Sequence, residues 1–270
     1  MCPAEYAKLK KTEKMEDKNN PAIHQIAQLI AQSNHCVVFS GAGISTRSGI
    51  PDFRSAGTGL WETSNPLLVA SATAFRHHPD RFFNWLRPLL ETSLQAQPNP
   101  AHHSLVEIEQ MGILKAIITQ NIDGLHQKAG SAVVIELHGS MKRFYCPVCH
   151  FQIQQLKHVY AAILAGKIPL CPRCNAILKP DITLFEEALP VNAWEHAERE
   201  TLQADLMLIA GSSLEVAPAS SLPALAQHHG CKIVIINFTP TFLDQYAEVT
   251  LNMDIAESLP RIVEKLKRMI

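Results

Sequence analysis

The stretch FSGAGISTRSGIPDFR, residues 39–54, decides the fold, together with the apolar run Cys36-Val37-Val38 that leads into it. Continuous apolar residues ending in Ser40-Gly41-Ala42-Gly43 read as a buried strand that breaks into a tight turn. Glycine lacks a Cβ, so backbone amides in such a turn can approach a pyrophosphate closely. Ser48, Asp52 and Arg54 follow within a few residues and place polar chemistry beside the turn. The glycines alone do not fix a dinucleotide site. Thr46 stands where the fingerprint wants a third glycine or alanine, and no acidic residue closes a second strand at the expected distance. An ordinary glycine-rich βα turn is the competing reading.

Outward from this stretch, short apolar runs recur at Cys36–Phe39, Ala116–Ile118, Val133–Leu137, Leu206–Ala210, Lys232–Ile236 and Val249–Leu251. Segments with helical spacing separate them: Ile23–Ala31, Pro79–Leu90, His102–Met111, Ala193–Leu202, Ala219–His228 and a closing Ile255–Ile270. This alternation predicts an α/β fold with a parallel, Rossmann-like sheet and helices on both faces. The strand tips carry Ser40-Gly41, Thr119-Gln120-Asn121, His138-Gly139, Gly211-Ser212-Ser213 and Asn237. In an open parallel sheet such tips converge on one rim, where ligands gather.

The chain has 270 residues, 47% hydrophobic and 18% charged, with a formal net charge of −1, so it can bury a large core and has no positive excess to drive nucleic-acid binding. No specific nucleic-acid partner and no membrane partner are expected. It contains no apolar run of the roughly 18 residues that a membrane-spanning helix needs. The first 20 residues mix charges without an apolar centre; they read as a flexible tail rather than a signal peptide, with Pro21 opening the first helix.

Four of the seven cysteines form two pairs, Cys146-Pro-Val-Cys149 and Cys171-Pro-Arg-Cys174, with 21 residues between them. Two such knuckles aim four thiolates at one point, which suits tetrahedral zinc. A redox pair leaves the second knuckle unexplained, and disulfides do not suit a reducing cytoplasm, the compartment that this cysteine usage indicates. Four thiolates leave no open coordination position, so the zinc, one per chain, is expected to be structural. The small zinc-binding domain spans 145–178 and interrupts a larger domain made of 21–144 and 179–270, which has a helical insertion at about 55–100. An insert this small cannot hold a good core alone, so the metal is expected to supply much of its folding energy.

Among thirteen histidines, His138 stands out because its strand ends at the expected rim with Gly139 beside it. An imidazole there suits proton abstraction near neutral pH; a packed or surface role is the alternative. Gln120, Asn121 and Asp123 offer amide and carboxylate groups to a ribose or carboxamide, and Asn or Asp there can equally cap the next helix. Gly211-Ser212-Ser213 presents amides at a helix start, a ready anion site or a plain βα loop.

Taken in order, Gly41-Ala42-Gly43-Ile44-Ser45, Gly49-Ile50-Pro51-Asp52-Phe53-Arg54, Thr119-Gln120-Asn121-Ile122-Asp123, Leu137-His138-Gly139, the two knuckles, Gly211-Ser212-Ser213-Leu214 and Asn237 resemble the sirtuins, NAD-dependent protein-lysine deacylases, in their bacterial-type form. The resemblance spans about residues 22–256. It implies a cleft between a large NAD-binding and a small zinc-bearing domain, with NAD and an acyl-lysine protein or peptide entering from opposite sides. Gly41, Ala42 and Gly43 would cradle the phosphates. Asp52, Phe53 and Arg54 would lie on a loop over NAD. Gln120, Asn121, Ile122 and Asp123 would hold the nicotinamide and its ribose, with Asn121 and Asp123 counted with the catalytic groups. Gly211, Ser212 and Ser213 would serve the phosphates and adenosine, Asn237 the adenosine ribose, and Ile255 the adenine. His138 would be the general base, and the products free lysine, nicotinamide and O-acyl-ADP-ribose.

Two positions depart from the family pattern. Its substrate loop usually reads Phe-Gly-Glu, where this chain has Phe185-Glu186-Glu187; the added carboxylate points to peptides with basic flanks. Members that prefer acidic acyl groups carry Tyr-x-x-Arg where this chain has Leu86 and Leu89, so acetyl or longer neutral acyl groups are expected. A mono-ADP-ribosyltransferase using the same NAD site is the alternative activity, and a non-catalytic nucleotide- or zinc-binding interaction protein the third.

Overall fold

The computed structural model describes residues 20–52, 59–60 and 65–270; the expected tail up to residue 19, and Phe53 and Arg54, lie outside the described residues. Eight strands occur among the described residues: β1 (Cys36–Ser40), β2 (Leu114–Thr119), β3 (Val134–Glu136), β4 (Gly139–Tyr145), β5 (Lys179–Ile182), β6 (Leu206–Ala210), β7 (Lys232–Ile236) and β8 (Val249–Leu251). The described helices are α1 (Pro21–Gln32), α2 (Pro66–Val69), α3 (Ala72–His77), α4 (Pro79–Gln95), α5 (Pro100–Gln110), α6 (Leu125–Ala129), α7 (Leu156–Leu164), α8 (Val191–Gln203), α9 (Ser221–His228) and α10 (Ile255–Leu266), with a 3₁₀ segment at Ala42–Ser48.

Six strands form one parallel sheet in the order β3-β2-β1-β6-β7-β8. β1, β6 and most of β2 and β7 are buried on both faces, which is why they read as nearly unbroken apolar runs. Along β1 the side chains alternate. Cys36 and Val38 join the core under α1, α5 and α10, while Val37 and Phe39 join the core under α8 and α9. The helix starts follow local chemistry. Asn20 caps α1 through Ala22 N–H at 3.0 Å with Pro21 in the first turn, and Asp254 caps α10 through Ala256 N–H at 2.8 Å.

The register positions the site. Ser40 pairs with Thr119 on one side and Ala210 on the other; Thr119 pairs with Glu136, Ala210 with Ile236, and Ile236 with Leu251. All six strands therefore end on one level. The residue after most of these tips still donates to its neighbour: Gln120 N–H to Ser40 O at 3.0 Å, Gly41 to Ala210 O at 3.1 Å and Gly211 to Ile236 O at 3.0 Å. Strand order reverses at β1, so the switch-point crevice lies at its tip.

Strands β4 and β5, which have no strong strand signal in the sequence, form a separate antiparallel pair beside this rim. A third apolar cluster joins Phe75, Phe82, Leu86 and Leu90 of α3 and α4 to Phe144, Cys146, Ile163 and Leu178. The cysteine-bearing segment thus packs on borrowed side chains from α3 and α4, and the metal is not left to hold it together alone.

Candidate active site

The site begins where β1 and β6 break into turns. Gly43 N–H donates to Gly211 O at 2.9 Å. A Cβ on Gly41 or Gly43 would sit 2.8 Å from the Gly211 carbonyl oxygen, and one on Gly211 (φ +62°) would sit 2.4 Å from Ile44 N. The glycines are therefore required by contact between two neighbouring turns, a cause beyond the tight turn and the approach to a pyrophosphate that the sequence suggests.

The tip of β2 supplies the floor. Asn121 is 8% exposed, and its Nδ2 donates to Gly41 O at 3.0 Å and to Ser45 Oγ at 3.3 Å. Asp123 is 7% exposed; it accepts from Ser45 Oγ at 2.8 Å and from Leu125 N–H at 2.8 Å. Burial pushes its carboxyl above the usual carboxylate range, against the pull of these two hydrogen bonds. Gln120 Nε2 donates to Ser212 Oγ at 2.9 Å, tying β2 to the β6 turn.

His138 stands half-buried at the end of the β3 connection, with Nδ1 2.9 Å from the Gln120 carbonyl oxygen. A carbonyl only accepts, so Nδ1 carries the proton and Nε2 of the neutral ring has a free lone pair. Burial lowers the His138 pKa from the ordinary histidine value, outweighing the opposing hydrogen bond to Gln120. A neutral imidazole at neutral pH follows.

One cavity of about 260 Å³ brings these groups together: Ala42, Gln120, Asn121, Ile122, Asp123 and His138 all line it. Its far wall is largely apolar and includes Trp85, Leu89, Ile182 and Leu184. Leu89 lines the wall as the acyl-pocket alignment expects, whereas Leu86 is fully buried in the third apolar cluster and does not line the cavity. Phe185, Glu186 and Glu187 also line it. Glu186 sits at φ +75°, and its carboxylate accepts from Thr73 N–H at 2.9 Å, a bond that lowers its pKa. That carboxylate is engaged within the chain.

Gly211, Ser212, Ser213, Asn237 and Ile255 lie on the same rim but outside this cavity. Asn237 donates through Nδ2 to Thr239 O at 2.8 Å. Ile255 is 5% exposed and packs in the core with Leu259 and Ile262. Asp52 is half-buried, and its carbonyl accepts from Leu60 N–H at 3.0 Å.

Two supporting residues escaped the sequence reading. Ser45 orients both Asn121 and Asp123. Asn99 caps α5 through Ala101 N–H at 2.9 Å, and its Nδ2 reaches Ile44 O at 2.7 Å and Ser48 Oγ at 3.0 Å. Asn-Pro before a helix reads as a cap, and here the same residue also braces the turn. Beneath the rim, Ser40 Oγ lies 2.8 Å from Thr119 Oγ1 and 2.9 Å from His126 Nε2.

The four knuckle cysteines have all their Sγ atoms within 4.8 Å of one another; Cys146–Cys174 and Cys149–Cys171 are 3.4 and 3.6 Å apart. A tetrahedron with metal–sulfur bonds of about 2.3 Å has edges of about 3.8 Å, so the set fits zinc. The knuckles repeat one another. His150 (φ 58°) and Asn175 (φ 60°) follow them in the left-handed region, donating to Cys146 O and Cys171 O at 2.9 Å each. Cys149 N–H and Arg173 N–H each point at a cysteine sulfur, Cys146 and Cys171, at 3.4 Å.

The Sir2 family model matches residues 41–218. The chain is 43% identical over 256 residues to NAD-dependent protein deacylase 2 of Archaeoglobus fulgidus, covering 94% of this chain and 98% of that protein. It is similar to a structure solved for the mechanism and regulation of Sir2 enzymes, with TM-score 0.87 and 42% identity over 93% of this chain and 99% of that one. It is also similar to a Sir2 structure with a deacetylated p53 peptide and 3′-O-acetyl-ADP-ribose, with TM-score 0.82 and 38% identity over 89% of this chain and 97% of that one.

Proposed function

The chain belongs to the Sir2 family, and from that premise we propose that it is an NAD-dependent protein-lysine deacylase that removes acetyl and other neutral acyl groups. The observation that carries this reading is the single cavity in which Ala42, Asn121, Asp123 and a neutral His138 meet beside an apolar wall.

NAD is a substrate here, and its glycosidic bond is the one broken as the acyl oxygen attacks the ribose carbon. Gln120, Asn121, Ile122 and Asp123 hold the nicotinamide and its ribose, with Asn121 and Asp123 oriented by Ser45. Gly41, Ala42, Gly43, Gly211, Ser212 and Ser213 serve the phosphates. Asp52, Phe53 and Arg54 border the NAD site, and Asn237 and the start of α10 at Ile255 meet the adenosine. His138 Nε2 takes a proton from a ribose hydroxyl, which then attacks the acyl carbon; Gln120 O holds the ring in the required tautomer. The apolar wall keeps bulk water from the ribosyl centre as nicotinamide leaves, and one water is consumed later, as lysine departs and O-acyl-ADP-ribose forms. Residues 21–144 with 179–270 act as the NAD-binding body, and 145–178 as the zinc-bearing module, whose filled thiolate set keeps the metal out of the chemistry. The cysteine usage supports a reducing cytoplasm, and among the described residues no helix is long and apolar enough to cross a membrane.

The test incubates the purified chain with NAD and an acetyl-lysine peptide. Nicotinamide and deacetylated peptide are expected in equal amounts, with O-acetyl-ADP-ribose as the third product. Transfer of labelled ADP-ribose to protein without deacetylation supports the transferase alternative, and NAD binding without either product removes both. Leu89 offers no partner to a carboxylate, so a succinyl-lysine peptide is expected to turn over far more slowly than the acetyl one.

A further inference from the structure

Lys179 is a charged side chain that the chemistry above does not use, and it is 5% exposed. An ammonium that far from water requires partners. Nζ donates to Ile182 O at 2.7 Å and lies 3.0 Å from Glu187 Oε2, with the Tyr145 ring centroid 5.8 Å away. The same Glu187 oxygen accepts from Leu184 N–H at 2.9 Å. Lys179 thus fastens both ends of segment 182–187, whose residues Leu184, Phe185, Glu186 and Glu187 line the cavity. Lys179 itself does not line it. On its other side the segment is paired to the start of α3, through Ala72 N–H to Phe185 O at 3.0 Å and Phe185 N–H to Ala70 O at 3.1 Å. Gly41, Ala42, Gly43, Asn121 and Asp123, at the tips of β1 and β2, share none of these bonds; the segment meets the NAD side through the main chain of His138, whose carbonyl accepts from Thr183 N–H at 2.9 Å.

We propose that Lys179, acting through Glu187, is a positioning residue for the acyl-peptide side of the cavity: the pair of a buried lysine and a half-buried glutamate fixes the shape of segment 182–187, and Lys179 sets peptide affinity without itself reaching the cavity. Lys179 opens β5 only five positions after Cys174, so the pair also links the cysteine module to the peptide wall. This inference rests on the deacylase reading.

The experiment compares the unmodified chain with Glu187→Gln, Lys179→Met, the double variant and Lys179→Arg. Steady-state KM is measured separately for acetyl-lysine peptide and for NAD, with bound zinc and melting temperature recorded alongside. Breaking the pair is expected to raise peptide KM about tenfold while NAD KM stays within about twofold. The double variant is expected to be no worse than the worse single one, as coupled partners require, and Lys179→Arg to recover most of the loss. Glu187→Gln keeps volume and removes only the charge, so it reads out the pair even where Lys179→Met fails to fold. An unmoved peptide KM in Glu187→Gln, or a parallel rise in both KM values, overturns the proposal while the deacylase reading stands. Absence of any NAD-dependent deacylation by the unmodified chain removes both.

Discussion

His138 owes its tautomer to a single main-chain oxygen. Gln120 O fixes Nδ1–H, and burial keeps the ring neutral. Replacing His138 with alanine is therefore expected to lower kcat by about 10²–10⁴ while leaving NAD affinity nearly unchanged, measured by steady-state kinetics and calorimetric titration with NAD. Gly43 tests a different kind of constraint. An added methyl would meet Gly211 O at 2.8 Å and Gly211 Cα at 2.9 Å, both backbone atoms that cannot swing away. Gly43→Ala is expected to cost about 1–3 kcal/mol in a denaturant melt and to raise the KM for NAD. At this scale the sequence was legible where chemistry and position coincide: His138, Asn121 and Asp123 stand at strand tips. It was opaque where a residue works through a distant partner. Nothing local to Ser45 or Asn99 tells that one braces Asp123 and the other braces Ile44, because those contacts depend on how β1, β2 and α5 are packed.

The main strands were readable because each is buried on both faces and so carries few polar interruptions. β4 and β5 were not. Lys142, Arg143 and Lys179 break their apolar pattern, and Pro180 argues against a strand. Their pairing is fixed by contacts across the two strands, Arg143 bonding Asp181 at 2.7 Å and a close approach in which a Cβ on Gly139 would sit 2.0 Å from Asp181 O. The zinc knuckles were legible from spacing alone, but their reliance on α3 and α4 was not, since contacts made some sixty residues away leave no mark on a Cys-x-x-Cys motif. Cys146→Ser is expected to abolish stoichiometric zinc and to lower the melting temperature together, read by metal analysis and calorimetry. Because Cys146 belongs to the third apolar cluster, hydrogen exchange is expected to loosen α4 as well as the knuckles.

The molecule as a whole carries two buried histidines behind the rim. His102 and His126 lie with ring centroids 5.0 Å apart, and burial lowers them to about 4 and about 3. Both are neutral in the folded chain, whereas the unfolded chain protonates them near pH 6.5. Their contribution to stability is complete above pH 6.5 and is lost as pH falls toward 4 and then 3. The melting temperature is expected to drop by at least about 5 °C between pH 6.5 and 4.5. Asp123, raised by burial, works in the opposite sense, so His126→Gln compared with the parent isolates the histidine share as a flatter acid slope. The level ends of the six strands bear on how the protein can be engineered. Two extra residues in any one strand would lift its tip by about 6–7 Å and take that side chain out of the shared cleft. The turns at Gly112 and Gly230 lie at the other edge of the sheet, and an added Cβ there meets nothing within 4 Å. Tags, linkers or fused modules grafted at those two turns would leave the chemistry where it is.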